Sequence, residues 1–405
     1  MAASIKPVAG TQFMSSKKPQ FLCKLDGHQE TVNQAILIGA EDDPAVISIS
    51  DDKTIRIWSR RDSGQYWPSI CHTMPAAASA MDYEHGTRRL FVALDNGTIT
   101  EFDLSDDLNK ITLRRSYIAH QQRVASIKFS LATEWLLSAG KDKYFQWHST
   151  ETGRRLGAFQ SSSWCTTVEF DAASRHAFVG DYSGNITMLK LTETNYQPVT
   201  TLRGHSGSIQ TLLWDEKKSL LISGSFDQVI IVWDIGGGKG TAYELCGHKQ
   251  RVTGLAIFGQ KLLSVSEDST LVVWDMSAKR QGTPEWAERD CCERCARPFF
   301  WNVKAMLDQK QVGLRQHHCR RCGRALCDKC SSNRSPLPVL GYEFPVRICD
   351  ECHLHVSDRD RQSLAEFHDL KTPVAGMSLA PNGVKLMATV GSDRNMKIWD
   401  IATVI

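Results

Sequence analysis

The residues with the clearest chemistry lie between Cys292 and Cys352. Four Cys-x-x-Cys turns follow one another there: Cys292/Cys295, Cys319/Cys322, Cys327/Cys330 and Cys349/Cys352. Such a turn sets two sulfurs at neighbouring corners of a tetrahedron around zinc. Eight sulfurs fill two closed four-thiolate sites, with no open position for a substrate. Threaded through the turns is Arg315-Gln316-His317-His318-Cys319-Arg320-Arg321-Cys322, a basic cluster built onto the metal knuckle. No acidic residue falls between Asp308 and Asp328, whereas Lys310, Arg315, Arg320, Arg321 and Arg324 do. Guanidinium groups present rigid forks of donors, so the chemistry this cluster suits is capture of a phosphate.

Composition narrows the setting. The chain has 405 residues and a net charge of +3, too small a charge to mark a nucleic-acid-binding protein by itself. Cysteines other than Cys291 and the eight above are isolated (Cys23, Cys71, Cys165 and Cys246). That distribution argues against a disulfide framework and fits a reducing compartment. These four are expected in sheet interiors as small hydrophobes, and Cys291 is a bystander thiol. Met1 to Gln20 lacks the apolar core of a secretory signal. No run approaches the ~20 apolar residues a spanning helix needs, so membrane contact is expected to be peripheral.

The elements that must position the cysteine segment are repeats. A pattern begins with Gly-His, passes through alternating apolar residues and a tight polar turn, and ends at Trp or Trp-Asp. Clear copies run from His28 to Trp58, His205 to Trp233 and His248 to Trp274; His120 to Trp147 is weaker and His368 to Trp399 is last. Two drifted copies end at Phe102 and Leu189, after the hairpin turns Asn96-Gly97 and Ser183-Gly184. Successive ends step by 41 to 45 residues until the final step of 125, and the surplus is the cysteine segment with its flanks.

This period resembles the WD-repeat family. The resemblance implies an all-β, seven-bladed propeller with an inserted two-zinc module. The expected divisions are a flexible tail at 1–20, repeats one to six at 21–278, a zinc module at 284–355 inserted in blade six, and a closing repeat at 362–405. It also implies that Phe21 to Leu25 completes the blade built by residues 374–400, so that no sheet edge stays open. The inserted module is expected on the face opposite the Gly-His loops. The recurring His, turn Asp and Trp, such as His28, Asp52 and Trp58, are expected to tie strands together rather than to catalyse. Gly236 to Thr241 imitates a phosphate loop, but Lys239 is followed by Gly240 rather than Ser or Thr, so an outer loop is expected.

Residues 286–352 resemble a FYVE-type zinc finger. The family's Arg-(Lys/Arg)-His-His-Cys-Arg stands here as Arg315 to Arg320, and its Arg-Val-Cys as Arg347-Ile348-Cys349. The resemblance implies two Zn²⁺ in interleaved sites: Cys292, Cys295, Cys327 and Cys330 on one ion, and Cys319, Cys322, Cys349 and Cys352 on the other. It further implies binding of phosphatidylinositol 3-phosphate by Arg315, His317, His318, Arg320 and Arg347, with Trp286 and Asp290 contributing. Val312 and Leu314 occupy the position of the family's membrane-inserting tip, while Phe299, Phe300 and Trp301 are expected to pack inside the module or on the propeller. Gln316 replaces a basic residue and Arg289 stands where the family has Asp, which costs one phosphate partner and points to weaker lipid affinity.

Together the two patterns resemble the WD-repeat and FYVE-domain-containing protein family. The implied function is a non-enzymatic adaptor in the cytoplasm and on the cytosolic face of early endosomes, whose propeller carries protein partners; the flanks show no sustained heptads for a coiled coil, so a monomer is expected. A RING-like ubiquitin ligase and a nucleic-acid-binding zinc protein are the competing readings. Eight well-spaced cysteines and the His-His-Cys-Arg cluster disfavour the first, and the small net charge disfavours the second.

Overall fold

The computed structural model describes residues 17–39, 44–61, 63–236 and 242–405. Most of the expected tail (1–16) and of the Gly-rich loop (237–241) thus lie outside the described residues. Seven antiparallel sheets, each with four propeller strands, form the ring. Blade one is Val32–Gly39, Pro44–Ser50, Thr54–Arg60 and Tyr66–Thr73, and the later blades repeat this order. The second strand of each blade lies between neighbours and reads as a continuous apolar or small-residue run, as in Pro44–Ser50, which is buried throughout. Outer strands face water, and Tyr196–Arg203 is mostly exposed.

What holds the ring is apolar packing between blades. Ile47, Ile49 and Ile55 of blade one pack on Leu90, Val92 and Phe102 of blade two. The closing junction sets Val32, Leu37 and Trp58 of blade one against Leu25, Val390 and Ile398 of blade seven. Each fully buried Leu, Ile or Phe contributes about 1.5–3 kcal/mol. Gln20–Leu25 pairs with Met396–Asp400, and the Phe21 ring meets Trp399 edge-on at 5.5 Å. The N-terminal strand therefore completes the last blade. Drift at Phe102 and Leu189 does not disturb the fold, because both side chains remain buried at the blade junctions. Gly97 shows why its turn keeps glycine: at φ +89°, a Cβ would stand 1.9 Å from the His120 carbonyl.

The repeated polar residues are struts. His28 Nδ1 lies 2.8 Å from Asp52 and its Nε2 2.8 Å from the Ser48 hydroxyl, which also accepts a bond from Trp58 Nε1. His205, Asp227, Ser223 and Trp233 repeat the set, as do His248, Asp268, Ser264 and Trp274. Burial alone would raise the Asp52 carboxyl, but bonds from Thr54, His28 and Gln29 hold it down at about 2. In blade three, Trp147 donates instead to the Thr192 carbonyl.

Three expectations change. In the repeats with Gly-His, the histidine stands four residues before the first strand, as His28 does before Val32; that place in the last repeat belongs to Leu370. His368 instead lies in Ala365–Asp369, the outer strand of blade six. Cys71 is exposed, not interior, because it lies on an outer strand.

The third concerns the zinc module. It leaves after Thr270–Asp275 and returns at Ala365–Asp369, the third and outer strands of blade six. Yet it docks on the rim of blade five. Tyr342–Ile348 runs parallel to the outer strand Ala242–Cys246, meets it at Cys246, and with Asn333–Leu337 extends that sheet to six strands. From Cys246 it continues toward the Gly247-His248 loop, where the Lys249 ammonium lies 5.4 Å from the Phe344 ring. The module thus packs along the outer rim and reaches both ends of the outer strands, Lys249 at the Gly-His end and Ser363 and Leu364 at the other.

Candidate functional site

The module has little regular structure, and its core is built around the cysteines. Cys292, Cys319, Cys327 and Cys349 are buried with Phe299, Leu326, Leu340, Tyr342 and Ile348. The sulfurs gather into two groups, Cys292, Cys295, Cys327 and Cys330, and Cys319, Cys322, Cys349 and Cys352. Within each group all Sγ atoms lie within 4.8 Å of one another, and Cys295 and Cys327 are 3.7 Å apart. A tetrahedron with Zn–S bonds of about 2.3 Å has edges of about 3.8 Å, so the donor set fits zinc. Backbone N–H groups of Cys327 and Cys349 donate to the sulfurs of Cys292 and Cys319 at 3.4 and 3.3 Å. Burial pushes the Cys292 thiol up, but such backbone bonds outweigh it and bring it down to about 7. The protein binds two zinc ions, and their closed all-sulfur shells make them structural.

The metal knuckles carry the basic residues. Trp286, Gln316, His317, His318, Arg320 and Arg347 line one cleft of about 220 Å³. Arg347 comes from the strand Tyr342–Ile348, two residues before Cys349, and is fixed by Asp328 at 2.8 Å and the Ser331 carbonyl at 2.9 Å. Its hydrogen bond, and then its charge, hold the Asp328 carboxyl below the usual range. The Trp286 indole stacks on His318 at 5.0 Å, and the Arg320 guanidinium lies 4.3 Å from the indole centroid. His318 Nε2 bonds the Ala287 carbonyl at 3.0 Å. Burial, reinforced by the positive charges of Arg347 and Arg315, lowers His317.

Five of the expected lipid residues therefore converge: Trp286, His317, His318, Arg320 and Arg347. Arg315 is exposed and lies outside the cleft wall. Asp290 lines an adjoining cleft with Glu288, Arg289, Trp301 and Gln316, where it accepts a bond from Trp301 Nε1 at 3.1 Å. Gln316 borders both clefts, and its buried Nε2 has no partner among the described residues. The residue counted as a lost phosphate partner thus offers a free donor. Asp328 and Gln316 were missed in these roles; the place of Asp328 directly after ligand Cys327 was the signal for the first.

The apolar tip differs from expectation. Val312 is 76% exposed, whereas Leu314 is drawn into the module core beside Phe299. Phe299 is buried as expected, but Phe300 and Trp301 face solvent, each more than half exposed. They precede a short helix, Val303–Gln309, capped by the Asn302 side chain on the Ala305 N–H. This helix exposes Val303 and Leu307.

The seam to the propeller is equally specific. Cys246 N–H donates to the Gly341 carbonyl at 2.8 Å, and Gln281 N–H to Val339 at 2.9 Å. Phe344 meets Phe367 of blade six at 5.5 Å, and Glu343 accepts from Ser363. Burial raises the Glu244 carboxyl of blade five, against the pull of the nearby Arg320 charge.

A two-zinc, all-thiolate module with an Arg-His cleft, inserted in a seven-bladed ring, defines a WD-repeat propeller bearing a FYVE zinc finger. Family models agree: FYVE zinc finger matches residues 285–358, and WD domain, G-beta repeat matches 19–59, 111–147, 196–234 and 240–275. The chain is 50% identical to mouse WD repeat and FYVE domain-containing protein 1 over 96% of its length and 95% of that protein. It is 48% identical to human WD repeat and FYVE domain-containing protein 2 over the whole of both chains. The crystal structure of the WD40 β-propeller domain of Doa1 matches in fold alone, with a TM-score of 0.62 at 16% identity over 94% of this chain and 96% of that one. The chain belongs to the WD repeat and FYVE domain-containing protein family.

Proposed function

We propose that this protein is a non-enzymatic, monomeric adaptor that docks on the cytosolic face of early endosomes by binding phosphatidylinositol 3-phosphate and presents its propeller to protein partners. The observation that carries the reading is the single cleft in which Arg320, Arg347, His317, His318 and Gln316 meet, on a scaffold stapled by zinc. The two guanidinium groups supply charge-assisted bonds to the phosphate. The imidazoles and the free Gln316 amide suit inositol hydroxyls and phosphate oxygens. Val312, with Phe300, Trp301, Val303 and Leu307, gives the same module an apolar tip for the bilayer. Among the described residues no helix is long and apolar enough to cross a membrane, so attachment rests on this peripheral contact. One headgroup and one tip give modest affinity, which a propeller-bound partner on the same membrane would raise.

Live imaging of the fluorescently tagged chain tests this. Puncta that coincide with early endosomes and disperse on phosphatidylinositol 3-kinase inhibition are expected. Puncta that persist under inhibition would refute the lipid reading.

A further inference from the structure

The Gly-His face of the ring carries seven equivalent positions, one at the end of each second strand. At every one, the backbone N–H donates to a carbonyl of the loop entering the same blade, at 2.9 to 3.3 Å. The fold therefore fixes the backbone there and leaves the side chain free. In blades one, two, six and seven the position holds Asp51, Asp95, Glu267 and Ser392. Blades three, four and five depart from this pattern with Lys141, Tyr182 and Phe226. Tyr182 and Phe226 are each 58% exposed, and Trp164, whose ring lies 5.3 Å from Tyr182, is 44% exposed. No packing of the ring accounts for three large aromatics in water on one sector, and such patches mark binding surfaces.

The sector is also concave and cationic. A cleft of about 660 Å³ crosses it, lined by Lys141, Trp164, Tyr182, Phe226, Arg251 and Gln210 among others. Gln210 lines the central channel as well, so the cleft opens on the channel mouth. No carboxylate lines the cleft. Asp142 is committed to His120, Asp227 to His205 and Asp181 to the Ser183 and Asn185 amides, while Glu267 is paired with the cleft's own Arg251 at 2.6 Å. Lys141 is exposed, 6.0 Å from the Trp164 ring, and has no ion pair among the described residues. The buried Arg251 Nε also lacks a partner among them.

We propose that this cleft docks an extended peptide segment of a partner protein. The segment sets an aromatic or large aliphatic side chain against Trp164, Tyr182 and Phe226 and a carboxylate against Lys141, with Arg251 beside it. An aromatic anchor in a concave site, flanked by a charge, is the arrangement that concentrates binding energy at interfaces. The proposal rests on the adaptor reading and assigns a surface and a ligand chemistry to it.

Selection of a random heptapeptide phage library on the full-length, zinc-loaded protein tests this, followed by fluorescence anisotropy with fluorescein-labelled synthetic copies of the enriched sequences. The expected peptides pair Asp or Glu with Phe, Trp, Tyr, Leu or Ile, and bind more weakly as salt rises. Phe226→Ser and Lys141→Glu each cost at least about tenfold in affinity. Both variants replace exposed groups, so they should keep wild-type melting and phosphoinositide vesicle binding. Peptides without acidic residues, peptides that bind both variants as well as wild type, or no enrichment over empty support would each overturn the proposal. Self-association abolished by Phe226→Ser would also overturn it, by making a second copy the occupant. Peptides that bind elsewhere on the propeller would end this assignment while leaving the adaptor reading in place, and vesicle binding reports separately on the membrane half of that reading.

Discussion

Gly341 is the most direct handle on how the zinc finger is held against the ring. It stands at φ +83°, a conformation that costs an L-residue roughly 1–2 kcal/mol. A Cβ there would meet the Glu244 carbonyl at 1.7 Å, so Gly341→Ala must also push the module off blade five. That movement breaks the bond from Cys246 N–H to Gly341, worth about 1 kcal/mol. The combined loss of about 2–3 kcal/mol corresponds to roughly 30- to 150-fold faster exchange of the Cys246 amide. Hydrogen-exchange mass spectrometry of the peptide spanning 242–247 reads it. Gly383→Ala is the control, because Gly383 has φ +77° but open space around its missing Cβ. The control should leave Cys246 protection unchanged, and both variants should keep two zincs. Unchanged protection in Gly341→Ala would refute the claim that this seam docks the module.

Three further outcomes follow from the same geometry. Cys292→Ser should halve the bound zinc and render residues 285–358 protease-sensitive, since metal supplies most of the folding energy of so small a module; near-ultraviolet signals of the blade tryptophans should survive, and a zinc-replete variant would contradict the pairing. Leu25→Ala, at the buried clasp strand, should cost about 2–5 kcal/mol in urea unfolding, whereas a cost near zero would mean that the ring closes elsewhere. Burial, with smaller effects from the His120 and Arg155 charges, lowers His148 to about 4 from its ordinary 6.5. Between these values the unfolded chain binds the proton and the folded one does not, so stability falls as pH drops from 6.5 toward 4, by at most about 3 kcal/mol. Denaturation of His148→Leu should show a shallower acid dependence than wild type, and an identical slope would refute the assignment.

Much of the ring was legible because each blade restates the same local chemistry. The Asn96-Gly97 turn marked blade two even where Phe102 replaced Trp. Phe21 to Leu25 read as the clasp from the offset between repeat and blade. The last repeat misled because His368 offers the right residue type two positions too early, while Leu370 buries an apolar side chain where others place the His strut. In the module, the four Cys-x-x-Cys turns were readable from spacing, whereas their interleaved pairing and the role of the arginine cluster came only through the family resemblance. Its seat on blade five was not, because the bond between Cys246 and Gly341 joins residues 95 apart and has no local signature. Exposure of Phe300 and Trp301 was also hidden, since composition does not tell a packed aromatic from one held outward. The Asn302 cap with Val303, Met306 and Leu307 at helical spacing was the unused sign of a helix there.

The central claim is that zinc-positioned arginines read one lipid headgroup. Co-sedimentation of the full-length protein with vesicles carrying phosphatidylinositol 3-phosphate, against vesicles of its 4-phosphate isomer at equal charge, tests it most directly. Wild type should bind the 3-phosphate vesicles in preference, and Arg320→Ala and Arg347→Ala should each lose about tenfold or more while retaining two zincs. Equal binding to both isomers, or variants that bind as wild type does, would contradict the account.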